Sequence, residues 1–196
     1  MVGGAGPSGW LKGALLVTVL LGCAARPAQP AAVTEHSTRT VLEPARFGWV
    51  SSEQASGALP SAIALGGKAS GRVLLYFEFA TPGVGARLLR ADLVLGATGV
   101  AGEAIDVELS RADAAAGELR AWSDQPHARY PRVAARLSTQ ALPQRLDVTE
   151  LLRAATKPGE PLRLLLRAEP GSGEPVLVET GAAGGATPRL EAYWER

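Results

Sequence analysis

Asparagine is absent from the 196 residues, cysteine occurs once, at Cys23, and lysine only at Lys12, Lys68 and Lys157. Each shortage excludes something. A domain downstream of Cys23 has no disulfide and must be held by its core alone. With only His36 and His127 beside that cysteine, a zinc site of His and Cys is excluded there by count. The missing asparagine reads first as codon bias, yet it also removes an amide that commonly contacts sugars. Charge of one sign is not in excess either. Removing a leader that carries Lys12 leaves 19 basic against 19 acidic side chains, so no bulk field favours nucleic acid.

What is present begins with Lys12 and the apolar run from Gly13 to Leu21. That run has the size of a signal h-region and is too short to cross a bilayer as a permanent helix. It ends in Leu20-Leu21-Gly22-Cys23, which resembles the lipobox of bacterial lipoproteins. The resemblance implies cleavage before Cys23, a diacylglycerol on its thiol, and attachment to a membrane through the acyl chains. The other reading is an ordinary secretory peptide cut near Ala25, with Cys23 discarded. Ala24, where inner-membrane retention in enterobacteria uses Asp, suggests the outer membrane. Residues 1–22 are therefore expected to be a signal peptide and residues 23–36, alternating Ala with Pro, a tether that cannot bury enough surface to fold.

Residues 37–196 are expected to form one domain. Gly (23) and Pro (14) are spread between short apolar runs, favouring turns over long helices. Val73, Leu75, Phe77 and Phe79 alternate with polar neighbours, predicting a half-buried strand, and Leu89 to Leu95 predicts a second. Ile105, Val107 and Leu109 predict a third; Leu162 to Leu166, Val176 to Val178 and Leu190 to Trp194 repeat the period. Asp147 with Glu150 reads as a capping box opening a helix over Val148 to Ala155. Eight to ten strands and one short helix without βαβ rhythm predict an all-β fold, an antiparallel β-sandwich of jelly-roll type.

In order, the segments Arg72-Val73-Leu74-Leu75-Tyr76-Phe77-Glu78-Phe79, Ala91-Asp92-Leu93-Val94-Leu95, Trp122-Ser123-Asp124-Gln125-Pro126, Leu146-Asp147-Val148-Thr149-Glu150-Leu151, Leu164-Leu165-Leu166-Arg167 and Pro188-Arg189-Leu190-Glu191-Ala192-Tyr193-Trp194 resemble the DNRLRE (disaggregatase-related) domain, grouped with carbohydrate-binding module family 96. The resemblance implies a jelly-roll sandwich of surface proteins, with polysaccharide binding in some members. The early Asn-Tyr-Gly of many relatives is missing, and no catalytic domain accompanies the module.

Catalytic residues are not expected. A Ser-His-Asp triad needs His127 as base, and no nucleophile elbow accompanies it. Most acids alternate along strands as solvated faces, which does not single out a glycosidase pair. No acidic run has EF-hand spacing, although calcium held by carboxylates and carbonyls stays open; no metal ligand or cofactor is assigned. Trp122 matches the family's framework Trp, Trp194 is placed to close the core, and Trp49 is undecided. The favoured glycan surface is Arg129, Tyr130 and Arg132, taken as a loop after Gln125-Pro126, where two guanidinium groups suit the carboxylates of an acidic polysaccharide and the ring can stack. Trp49 is next. The expected function is non-catalytic binding or organisation of extracellular polysaccharide. The alternative is a structural lipoprotein docking to an envelope protein, and a remote one is a polysaccharide lyase or hydrolase.

Overall fold

The computed structural model describes residues 37–54, 57–68, 70–80, 87–100, 103–139, 143–155 and 159–195; Cys23 and His36 lie outside them. Among these, twelve strands form instead of eight to ten. They are β1 (Ser37–Leu42), β2 (Arg46–Ser51), β3 (Ala62–Leu65), β4 (Val73–Phe79), β5 (Leu88–Leu95) and β6 (Ala97–Thr98). Then follow β7 (Ala104–Ala112), β8 (Ala128–Ser138), β9 (Gln144–Asp147), β10 (Leu162–Ala168), β11 (Val176–Glu179) and β12 (Arg189–Glu195). All pair antiparallel.

One sheet has the order β1-β12-β5-β9, the second β2-β4-β10-β7-β8, and a three-stranded sheet β3-β11-β6 continues the first. Gly96 makes the joint. Its carbonyl accepts from Glu179 N at 2.9 Å, and a Cβ there would lie 2.5 Å from Glu179 Oε2 and 2.7 Å from Ala186 Cβ, so no side chain fits. The chain repeatedly crosses between the two large sheets, which is jelly-roll winding, and β2 adds an edge strand beside β4. Their inner faces meet in one core that includes Leu75, Phe77, Leu93, Leu109, Leu164 and Leu190.

Strand β4 differs from the half-buried strand expected. Leu74 and Tyr76, on its outer side, are as buried as Phe77. They join Val50, Ala112 and Leu165 in a second cluster, against which Ala115, Leu119 and Trp122 pack. A segment far along the chain thus covers an outer face whose own period gave no warning of it. Gly48 on β2 admits this cover, because a Cβ there would stand 3.1 Å from Leu119 Cδ1.

The helix is also shorter than expected. It is α1 (Thr149–Arg153), begun by Asp147 Oδ1 accepting from Thr149 N at 2.9 Å. The reciprocal half of the expected capping box does not form, because Glu150 is drawn to Arg153 at 2.7 Å. Thr149 fastens the helix to β5: Ala91 N donates to Thr149 Oγ1 at 2.9 Å, and Val148 N to Ala91 O at 2.9 Å.

Candidate functional site

Arg129, Tyr130 and Arg132 do come together, but as strand and not as loop. They open β8, the edge strand of the five-stranded sheet. Ser110 pairs Arg132 and Arg111 pairs Arg129, so Tyr130 and Pro131 form a bulge opposite no partner residue. Pro131 sits where a missing backbone donor is tolerated, at a bulge on an edge. The bulge turns Tyr130 outward, leaving it 79% exposed, the most exposed of the large apolar side chains described. Arg132 lays its guanidinium 5.3 Å from the ring centroid.

The arginines are not free cations. Arg129 pairs with Asp113 and Arg132 reaches Glu108 at 3.3 Å, so this edge is locally neutral. Each guanidinium keeps N–H groups that its acid does not use, and these are the donors open to a sugar carboxylate. Beside them the edge offers an exposed aromatic ring on a strand. His127 is exposed nearby and its carbonyl accepts from Asp113 N at 3.1 Å.

Trp49 is on β2, at the opposite edge of the same sheet. It is half-buried against the main core, with Nε1 buried and lacking a partner among the described residues. Two clefts, of about 460 and 570 Å³, share Trp49, Gly57 and Ala58 in their walls. Arg46 and Arg120 line the first, and Ser51, Gln54 and Ser70 the second. Their sizes suit a sugar-sized ligand. Trp122 packs on the outer cluster and Trp194 on the core, both partly buried as Trp49 is.

Comparison with protein-family models finds no match, and no curated protein matches the chain.

A third constellation escaped the sequence reading. On the outer face of the four-stranded sheet, Val41, Glu191, Asp92 and Asp147 stand side by side on β1, β12, β5 and β9. Three neighbouring acids repel unless cations intervene. Rows of arginine supply them: Arg39 and Arg90 flank Tyr193 on one side, and Arg189 and Arg145 flank Val94 on the other. Glu191, fully buried, accepts from Arg39 Nη2 at 2.7 Å, Arg189 Nε at 2.9 Å, Arg145 Nη1 at 2.8 Å and Tyr193 OH at 3.2 Å. Asp92, 2% exposed, receives a fork from Arg90, with Nη2 to Oδ1 at 2.9 Å and Nε to Oδ2 at 3.0 Å. The signal in the sequence was the pair of Arg-x-acid patterns at 90–92 and 189–191. Only the pairing of β5 with β12 makes them one network.

The Glu191 carboxyl is not poised for proton transfer at neutral pH. Burial pushes the Glu191 carboxyl up, but hydrogen bonds from Arg145, Arg39 and Arg189 prevail and hold it at about 2. Beneath the outer cover, Tyr76 is pushed up to about 12 by burial and by its hydrogen bond to Glu78. Among the described residues, no group of three or more His, Cys, Asp or Glu side chains is placed to hold a metal ion.

Proposed function

We propose that the domain is a non-catalytic polysaccharide-binding module of the DNRLRE kind, tethered to the cell envelope through a lipid on Cys23. The observation that carries the binding reading is Tyr130, an open ring on a strand bulge with Arg132 across its face. Sugar rings present an apolar face to such a platform, and a strand holds the ring in place at little cost in ordering on binding. Acidic glycans are accommodated when their carboxylates take the guanidinium N–H groups that Asp113 and Glu108 leave unused. Trp49 and its paired clefts supply a second contact at the far edge of the sheet.

A glycan array probed with the purified chain tests this. Retention on a defined set of glycans is expected, and Tyr130→Ala should weaken it about tenfold, the scale of one aromatic contact. The same change should move the thermal midpoint little, because the side chain is solvated. Changing Arg129 and Arg132 together to Ala should reduce binding to acidic glycans with equally little effect on folding, since exposed ion pairs contribute weakly. Loss of stability in step with loss of binding would make this edge framework and remove its functional reading.

The anchor has its own test. Metabolic labelling with an alkyne palmitate should mark the wild type and not Cys23→Ser, and an unlabelled wild type would end the lipoprotein reading.

A second reading is docking to an envelope protein, favoured by the position of β8 as a long edge strand with no further strand beside it among the described residues. A stoichiometric protein partner in the absence of glycan retention would replace the first reading with this one.

A further inference from the structure

The arginine face lies on the four-stranded sheet, away from Tyr130, and polysaccharide binding leaves it unused. Four guanidinium groups in two rows bracket Glu191 and Asp92, and both acids are withdrawn from solvent beneath them. Four arginines against Glu191, Asp92 and Asp147 leave this patch a single positive charge in excess, presented outward mainly by the more exposed Arg39 and Arg145, while Arg90 and Arg189 are partly covered and Asp147 is the acid still exposed in the row. Rows four residues apart along a strand stand roughly 14 Å apart. That breadth suits a surface better than a single small anion. The buried acids fix the guanidinium planes, so little side-chain entropy remains to be lost when an outside anion takes the N–H groups the acids do not use. Val41, 46% exposed, shares the face and adds an apolar contact among the cations.

The position of this face in the chain suggests what meets it. Arg39 is on β1, the first strand after the Ala/Pro-rich segment that begins at Cys23. A segment from Cys23 to Ser37 spans at most about 50 Å even when extended. An acyl anchor at Cys23 would therefore hold the domain within about one domain diameter of the lipid headgroups. At that distance a patch too weakly charged to bind from solution acts at a high effective concentration. Phosphate oxygens are well matched to the guanidinium fork.

We infer that the outer face of the four-stranded sheet docks against the anionic phosphate headgroups of the membrane that holds the anchor, with Arg39 and its neighbours as the contacts. Docking in this way leaves Tyr130 on the other large sheet free for glycan. The inference rests on the lipid-anchor reading and not on glycan binding.

The test uses the acylated full-length chain reconstituted into vesicles of phosphatidylcholine alone or mixed with phosphatidylglycerol. Because the lipid occupies the chain's one cysteine, Val41→Cys adds a single free thiol for an environment-sensitive dye. The dye is expected to shift to the blue in the anionic vesicles and not in the neutral ones, and added salt should reverse the shift. Arg39→Ala in the same background should lower the ratio of docked to undocked protein about fivefold, the effect of one cation near an anionic surface. Glu191 keeps Arg145, Arg189 and Tyr193 in that variant, and an unchanged thermal midpoint would show that the fold is intact. As a second variant, Arg39→Lys keeps the charge and should restore most of the shift. Identical dye spectra in both vesicles, or a shift indifferent to Arg39→Ala, would overturn the inference. A chain that fails to float with neutral vesicles would overturn the anchor reading and this inference with it. A shift abolished by soluble polyuronate, but absent with anionic vesicles alone, would assign the face to glycan instead.

Discussion

Glu191→Gln is expected to destabilise the domain by about 3 kcal/mol at neutral pH and to lower its thermal midpoint by roughly 10 °C. The carboxylate is fully buried at the middle of β12 and receives three arginines and a tyrosine. A neutral amide cannot accept from all of them, and its own N–H₂ would face guanidinium donors. The cost stays at the lower end of the range for a broken buried pair, because the arginines are partly exposed and can rehydrate.

The pH dependence separates this cause from simple misfit. Burial opposes the charge, but the hydrogen bonds from Arg145, Arg39 and Arg189 win, lowering the Glu191 carboxyl from 4.5 to about 2. A carboxyl lowered on folding contributes stability that is complete above its unfolded value. It is lost as the pH falls from about 4.5 towards about 2. Wild-type stability should therefore drop across that window by an amount similar to the neutral-pH loss in Glu191→Gln. The variant should lack that part of the slope. Urea unfolding at a series of pH values measures both, and parallel curves for the two proteins would show that the network is not coupled to folding as described.

Phe77→Ala is expected to cost more, about 3–5 kcal/mol, a large part of the stability of a domain this size. The ring is fully buried and sits between Phe47, 5.0 Å away, and Phe79, 6.2 Å away, with all three stacked. It faces Leu164 on β10 and Phe47 on β2 in register, so truncation opens a cavity that three strands must close to refill. The expected result in urea is a lower midpoint with an unchanged slope, since the surface exposed on unfolding hardly alters. A loss below about 1 kcal/mol would mean that the site collapses freely and that the core is not close-packed there.

Much of the sandwich was legible because a half-buried strand writes its period into the chain. β5, β7, β10 and β12 each alternate, and with Asp147 as the helix start they were enough to imply the fold class. Two strands were obscured by their own residues. In β2, Phe47 and Trp49 keep the inward period, but Gly48, small to admit Leu119, and the buried Val50 leave the outer side without the polar residues that mark a half-buried strand. In β8 the Tyr130-Pro131 step reads as a turn, although Val133, Ala135 and Leu137 keep the inward period beyond it. Local pattern cannot tell a bulge at a sheet edge from a loop, because both lack ladder hydrogen bonds at the same residues.

The exclusions came from the sequence by itself, since counts of cysteine, histidine and charge do not depend on folding. It determined the alternating strands and the nearness of Arg129, Tyr130 and Arg132 to one another. Tertiary structure alone decided the rest. It covered the outer side of β4 with the segment bearing Trp122, neutralised Arg129 and Arg132 with Asp113 and Glu108, and gathered four arginines around Glu191 and Asp92. The physical reason is the same in each case. A residue's neighbours across a sheet are set by which strands pair and in what register, and those partners lie far away along the chain.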